Sequence, residues 1–310
     1  MAVVSHVLVL FMLMAAGFAS AKLKVSGPEM ASKVSVFLLN IALPALLFVS
    51  FQRPFSRQLL SEAGTAIAVS AGLYAVFFLI AFVYPRLLGI KGPERGVHRY
   101  AVLFSNCGFI GYPMVEAALG HSYIFHAVIF NIPFSLLAYS VGAWIISREG
   151  KGNMPLSWKV FVNPSIVATA LGFICFMFSL SLPEPVFRAF KMTADTTSPL
   201  SMFVIGITLA QANAHQIFGR WRIYVTVAVR LVLLPFITVV FCYFFGIPGP
   251  VIILAMLLVA MPAASNTSLY ASFFGVAPEE ASSLVFLSTV LCVLTIPGAL
   301  LIVSGLLGAP

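Results

Sequence analysis

Two stretches of this sequence combine asparagine and hydroxyl side chains with residues that weaken helices. Asparagine offers a donor and an acceptor, and serine and threonine add hydroxyls, so such side chains can replace part of a small ligand's hydration shell. Glycine lets the backbone approach closely, and proline frees a carbonyl from the helical ladder. The residues in question are Asn106, Gly108, Gly111 and Pro113 in the first stretch, and Pro262, Ser265, Asn266, Thr267 and Ser268 in the second. We predict that they form a substrate-binding site.

Each stretch lies inside a long apolar segment, where a helix is expected to break. Backbone polar groups exposed to lipid cost several kcal/mol each, so a broken helix persists only where protein or water covers it. Two breaks therefore indicate a binding site within the membrane. The alternatives are a proline kink with hydroxyls bonded back to the helix, and, for Gly108 and Gly111, close helix packing.

Split helices suggest the charge of the ligand. Their inner N-termini present partial positive charge and free N–H groups, which favours an anion. Arg230 lies within an apolar segment and is a candidate counter-charge, unless its side chain extends to the lipid headgroups. Glu116 follows Pro113 by three residues. It is a candidate carrier of a coupling proton or partner of a coupling cation, unless it is simply solvated at the outer mouth.

Nothing in the sequence indicates an enzyme. There is no phosphate-binding loop of the Gly-x4-Gly-Lys type and no visible nucleophile with a base. The four cysteines lie in apolar segments without short pairing, so no disulfide framework or metal site is expected. We therefore expect no cofactor beyond a coupling proton or sodium ion.

The composition predicts an all-α polytopic membrane protein. Of the 310 residues, 61% are hydrophobic and 8% are charged, whereas soluble domains have about 25% charged residues. Segments of about 20 apolar residues suffice to cross a bilayer. Ten such spans are predicted, at Val3–Ala21, Val34–Gln52, Ala63–Pro85, Tyr100–Leu119, Ser122–Ile146, Val160–Leu182, Thr196–Gln211, Ile223–Phe245, Val251–Phe274 and Ala281–Leu307.

The distribution of basic residues predicts the orientation. The loops after spans one, three, five and seven hold twelve lysines and arginines, and the alternate loops hold four. Because basic loops stay in the cytoplasm, both termini are expected in the periplasm. The net charge of +8 is then largely a topology signal, and no nucleic-acid partner is expected.

The two halves of the chain resemble each other at an offset of 155 residues. The run from Pro44 to Phe48 matches that from Pro199 to Phe203, and Gly120 matches Gly275. Each half holds five spans, and because five is odd, the second half is inverted in the membrane. We predict a first repeat at 1–148, a cytoplasmic linker at 149–159 and a second repeat at 160–310, with broken helices four and nine.

The run from Asn106 to Pro113 resembles the Asn-x-Gly-Phe-x-Gly-x-Pro pattern of the auxin efflux carrier family, the bacterial relatives of the plant PIN carriers. Asn163-Pro164, the run from Thr197 to Leu200, and Pro262 with Asn266 are also similar to that family. The resemblance covers essentially the whole chain, which lacks the long central loop of the plant members.

The resemblance implies that the broken helices four and nine cross near the midplane of the membrane. It also implies a mechanism. Helices 1, 2, 6 and 7 would form a scaffold, and helices 3–5 and 8–10 a transport domain that moves like an elevator, commonly within a homodimer. The expected function is that of a secondary active transporter or facilitative carrier of a small organic anion, auxin-like or a mono- or dicarboxylate, across the bacterial inner membrane.

Two alternatives stay open from the sequence. One is a sodium-coupled carrier of the bile-acid type, in which Asn106, Glu116, Ser265 and Asn266 would partly be ion ligands. The other is a channel or a membrane sensor that binds its ligand without alternating access.

Overall fold

The computed structural model describes residues 2–149, 163–211 and 220–307, and within these ranges the chain is helical apart from turns and one isolated β-bridge. The helices are α1 (Ala2–Lys22), α2 (Pro28–Ser50), α3 (Arg57–Leu87), α4 (Pro93–Leu103), α5 (Cys107–Leu119), α6 (His121–Phe130), α7 (Ile132–Ser147), α8 (Pro164–Met177), α9 (Glu184–Asp195), α10 (Thr197–Gln211), α11 (Trp221–Phe244), α12 (Gly249–Ala260), α13 (Asn266–Phe274) and α14 (Pro278–Leu307).

Several helices are long and apolar enough to cross a membrane. Five qualify within the described ranges, namely α1, α2, α3, α11 and α14, and the pair α6 and α7, bent by 43°, makes a sixth. The prediction of an all-helical membrane protein is thereby confirmed, whereas the ten spans and the inverted repeat stay predictions. The start of the sixth predicted span and the linker after Glu149 lie outside the described residues.

The chain divides into two compact units, each assembled from both halves of the sequence. Unit 1 comprises Met1–Ile67, Gly108–Asn131 and Trp158–Gln211, and unit 2 comprises Ala68–Cys107, Ile132–Ser157 and Ala212–Pro310.

In unit 1, α1 and α10 touch backbone to backbone. A Cβ atom on Gly17 would lie 2.1 Å from the Phe203 carbonyl oxygen, and one on Gly206 would lie 1.9 Å from that of Met14. Both distances are far below van der Waals contact, so only glycine permits this approach. Small residues at a helix interface are the usual means of packing helices inside a membrane.

In unit 2, aromatic rings pack around α4. The Phe104 ring lies 4.6 Å from that of Tyr100 and 5.8 Å edge-on from that of Phe134, measured between centroids. Gly142 of α7 lies directly beneath these rings, since a Cβ there would be 2.6 Å from Phe104. This packing holds the C-terminal end of α4 in place.

Three helices accommodate a proline by widening the preceding turn. Five-residue π-helical turns lie within α2 and α11, at Leu38–Ala42 and Val229–Leu233, and at the start of α5, at Cys107–Gly111. The prolines, Pro44, Pro113 and Pro235, each stand two residues after such a turn. Proline lacks an N–H and its ring collides with the carbonyl of the previous turn, and the longer hydrogen bonds of a π turn relieve both problems.

The first helix break lies at the N-terminal end of the stretch in which the sequence predicts it. The backbone leaves the helix at Phe104, Ser105 and Asn106. Gly108, Gly111 and Pro113 are themselves helical, because the π turn absorbs Pro113. The second break falls at 261–265 and includes Pro262, as expected.

Candidate functional site

The two helix breaks pair with each other inside unit 2. The Asn106 N–H donates to the Pro262 carbonyl at 2.8 Å, and the Ala264 N–H donates to the Phe104 carbonyl at 2.9 Å. Ser105 thus faces Ala263 in an antiparallel bridge. Backbone groups freed from the helices satisfy one another, as the interior of a membrane protein requires. We call residues 104–106 and 261–265 the paired break.

Side chains complete the hydrogen bonding of the paired break. The Ser105 hydroxyl donates to the Leu258 carbonyl at 3.0 Å, and the Asn106 amide donates to the Ser265 hydroxyl at 3.1 Å. The Ser288 hydroxyl of α14 accepts the N–H of Ala263 at 3.1 Å. The polar residues of the two stretches are thus hydrogen-bonded to each other, and Ser288 of α14 adds a hydrogen bond to the backbone of the second stretch.

Arg230 of α11 binds the backbone on which the paired break rests. Its guanidinium donates to the carbonyls of Val102, Val259 and Met261 at 2.7, 2.9 and 3.0 Å, and the residue is 2% exposed. These carbonyls lie at the C-terminal ends of α4 and α12, where intrahelical partners are missing and the helix dipole is negative. One arginine therefore caps two half-helices.

The position of Arg230 decides between the two interpretations only in part. Its guanidinium is buried at the paired break, so the alternative that its side chain extends to the headgroups does not hold. The helix ends attract it inward, and α11 widens at the π turn that contains it. None of the ion pairs within the described ranges involves Arg230. Contact between Arg230 and a substrate stays a prediction.

The N-terminal end of α13 offers groups for an anion. Ser265 is exposed, Asn266 and Ser268 are half-buried, and the Ser268 hydroxyl donates to the Ser265 carbonyl at 3.0 Å. The Thr267 hydroxyl is buried and has no hydrogen-bond partner among the described residues. A helix N-terminus carries partial positive charge and unpaired N–H groups, so this end of α13 suits a carboxylate.

The remaining predicted residues of the first stretch belong to unit 1. Gly108, Gly111 and Pro113 lie in α5, and a Cβ on Gly108 would touch the Leu43 side chain at 3.4 Å. This contact resembles the close packing that we kept as the alternative for Gly108. Their contact with a substrate stays a prediction.

Glu116 lies in a different setting within unit 1. One carboxylate oxygen is 2.8 Å from Nδ1 of His121, and the other accepts from the Ser198 hydroxyl at 3.0 Å. The group borders a cavity of about 590 Å³ that is lined by α1, α5 and α10 and also reached by His6. Glu116 therefore has partners of its own, and its coupling role stays a prediction.

Some residues of the site escaped sequence reasoning. Ser288 looks like any serine in an apolar helix, and the carbonyls bound by Arg230 have no signature because every residue has one. The signal that could have pointed to Ser288 is a serine within the apolar segment that follows the second break. Across the described ranges, no cluster of three or more His, Cys, Asp or Glu side chains could hold a metal ion.

A helical membrane chain with two broken helices, joined through their backbones around a buried arginine, is typical of membrane transporters. Comparison with known proteins gives the family. Residues 2–300 match the family model described as membrane transport protein, and the chain belongs to that family. As the sequence predicts, it is a transport protein and not an enzyme.

Individual relatives support the resemblance to auxin efflux carriers. The chain is 27% identical to a Rhizobium meliloti protein named "Putative malonate transporter", over 98% of this chain and 97% of that one. It is 22% identical to auxin efflux carrier component 8 of Arabidopsis thaliana, over 91% and 92% of the two chains. An uncharacterized transporter of Methanothermobacter thermautotrophicus is 24% identical over 95% of both. The predicted family is confirmed.

Proposed function

We propose that the chain carries a small organic anion across the inner membrane, with a dicarboxylate of the malonate class as the first candidate. The observation that carries the proposal is the paired break, where Asn106, Ser265 and the start of α13 gather polar groups without a carboxylate. The name of the Rhizobium relative supports the dicarboxylate class. Either secondary active or facilitative transport is compatible with this arrangement.

The chemistry of the paired break favours an anion over a cation. The Arg230 charge offsets the negative ends of α4 and α12, so the positive N-terminal end of α13 is left to act on the ligand. A carboxylate can accept from backbone N–H groups, from the Asn266 amide and from the Thr267 hydroxyl. Such charge-assisted hydrogen bonds are about twice as strong as neutral ones.

The proposed architecture is that of two inverted five-helix repeats with ten spans and both termini in the periplasm. Breaks within the fourth and ninth predicted spans support it, because inverted repeats place discontinuous helices at corresponding positions. By family resemblance, helices 3–5 and 8–10 form a transport domain that moves against a scaffold of helices 1, 2, 6 and 7, within a homodimer.

Uptake of radiolabelled malonate and indole-3-acetate into proteoliposomes tests the proposal, with and without imposed proton and sodium gradients. The variants are Asn106→Ala and Asn266→Ala. The matched control is Asn40→Ala, since Asn40 is exposed and its amide only donates to the Val36 carbonyl of its own helix. We expect saturable malonate flux that falls at least ~10-fold in both site variants, about one lost hydrogen bond to a charged group each, and not in the control.

The outcomes separate the alternatives. Flux far above carrier turnover would indicate a channel, and binding without flux would indicate a sensor. Strict dependence on sodium would support the sodium-coupled carrier. Full flux in both site variants would remove the paired break as the binding site.

A further inference from the structure

A second group of buried polar side chains lies in unit 2, away from the paired break. His98 of α4 is fully buried, with Nε2 3.1 Å from Oε1 of Glu280 and Nδ1 2.6 Å from the Thr226 hydroxyl. The other Glu280 oxygen accepts from Arg220 at 2.7 Å. The Tyr84 hydroxyl lies within hydrogen-bond distance of the His98 carbonyl and the Thr226 hydroxyl. Both ring nitrogens of this buried imidazole therefore have hydrogen-bond partners.

The hydrogen bonds of His98 can be completed in two ways that differ by one proton. In the first, both ring nitrogens donate, Nε2–H to Glu280 and Nδ1–H to Thr226, while the Thr226 hydroxyl donates to the Arg222 carbonyl 2.8 Å away. The ring is then an imidazolium. In the second, the Thr226 hydroxyl turns and donates to Nδ1, and the ring is neutral. Adding or removing a proton therefore requires only the rotation of one hydroxyl.

The surrounding charges balance the protonated form. Glu280 is shared between His98 and Arg220, whose other nitrogen is 3.3 Å from Glu279. The side chain of Arg220, which contacts Glu280 directly, is 41% exposed, so the buried pair lies one residue from solvent. The other charged groups on the helices packed here form their own contacts or are exposed, namely Glu94 with Arg222, Arg99 with Glu149, Arg95 with the Ile90 carbonyl, and Arg86.

Three helices connect this cluster to the paired break. The helix α4 holds His98 and ends beside Ser105, α11 holds Thr226 and Arg230, and α14 holds Glu280 and Ser288. At 1.5 Å per residue, His98 lies about 8 Å from the end of α4 at Leu103, and the separations along α11 and α14 are about 6 and 12 Å. Each helix thus carries one residue of the cluster formed by His98, Thr226 and Glu280 and also reaches the paired break or the side chains that bind it.

We propose that His98 and Glu280, with Thr226, form the binding site of a coupling proton, so that transport of the anion is driven by the proton gradient. This inference rests on the proposed function and names its coupling ion. Imidazole gains and loses a proton in the physiological pH range. Because the proton-accepting cluster and the paired break share three helices, a shift of those helices on protonation changes the site that holds the anion.

The test uses the full chain in proteoliposomes with labelled malonate. One coupled proton supports about tenfold accumulation per unit of pH difference. We expect such accumulation in the native chain and in Glu279→Gln, the control at the exposed neighbour, and an accumulation ratio near one in His98→Gln and Glu280→Gln. Malonate counterflow at equal pH, which needs no net proton movement, should stay within about twofold of native in His98→Gln.

The results distinguish this inference from the proposed function. Counterflow without gradient-driven accumulation in the native chain, or accumulation that persists in His98→Gln, overturns the proton site and leaves the carrier intact. Absence of any malonate flux in the native chain overturns the proposed function instead. The proton site is then tested by ¹⁵N-histidine spectra of the purified native chain, recorded as the pH is lowered. A His98 ring that binds a proton supports the site, and a ring that stays in one form throughout overturns it.

Discussion

Replacing Arg230 by methionine should destabilise the folded chain far more than removing any exposed arginine. Methionine fills much of the same space, but the carbonyls of Val102, Val259 and Met261 lose their donors at the ends of α4 and α12. Buried carbonyls without partners are costly because the membrane interior offers no water to replace the guanidinium.

The size of the effect follows from three charge-assisted hydrogen bonds. Each contributes about 1.5–3 kcal/mol, for a gross loss of about 4.5–9 kcal/mol. Part of this lost stability is recovered, because folding of the variant no longer requires a charged group to leave water. After that offset, we expect a net loss of about 3–5 kcal/mol. At about 2–4 °C per kcal/mol, the melting temperature should fall by about 6–20 °C.

Thermal unfolding of the detergent-purified chain, followed by intrinsic fluorescence, measures this shift. Arg222→Met is the matched control, since Arg222 lies two turns earlier on α11, is 37% exposed and approaches Glu94 only to 3.9 Å. It should cost less than about 1 kcal/mol. The melting temperature of Arg230→Lys should lie between those of Arg230→Met and Arg222→Met. An ammonium keeps the charge but lacks the planar guanidinium that donates to separate carbonyls.

The reasoning fails if Arg230→Met melts within 2 °C or so of Arg222→Met. A chain of native stability that no longer binds the anion would show that Arg230 serves the ligand rather than the helix ends. A loss of stability together with a loss of flux would leave the capping role in place.

Two further predictions concern packing and hydrogen bonding. Gly206→Ala should prevent α1 and α10 from meeting, because its Cβ would lie 1.9 Å from the Met14 carbonyl oxygen, and we expect a loss of at least ~3 kcal/mol in thermal unfolding. Gly298→Ala, also within a helix but with nothing within 4 Å, should be neutral or stabilise by up to ~1 kcal/mol, and similar melting of the two variants would contradict the contact. Ser288→Ala should leave the buried Ala263 N–H without its 3.1 Å acceptor and lower stability by about 1–3 kcal/mol, which the same measurement checks; an unchanged melting temperature would show that the bond contributes little.

The sequence predicted the class of structure and the stretches that contain the breaks, but not which residues of the first stretch leave the helix. Composition was enough for an all-helical membrane protein, since lipid permits few other arrangements. Pro262 marked a real break, but Pro113 did not, because a π turn precedes it. The actual break at Ser105 and Asn106 contains no proline at all. It is stabilised by pairing with a segment more than 150 residues away, which no local pattern can indicate.

For the charged residues too, the sequence indicated which side chain is unusual but not what it contacts. Arg230 stood out because arginine is rare inside apolar segments. Its partners are backbone carbonyls, so their positions depend on where two other helices end. His98 and Glu280 attracted no attention, because histidine and glutamate near the ends of apolar segments usually face water. Only the packing of α4, α11 and α14 reveals that both are buried.

The π turn at Val229–Leu233 also has a consequence for the history of this helix. Such a turn corresponds to one extra residue inserted into an α-helix, which changes the phase of everything beyond it by about 100°. Arg230 lies inside the inserted turn and owes its direction to it. A lineage that lost this one residue would turn the arginine away from the helix ends while keeping nearly the same sequence. Single-residue gaps at this position should therefore mark relatives whose binding sites have diverged.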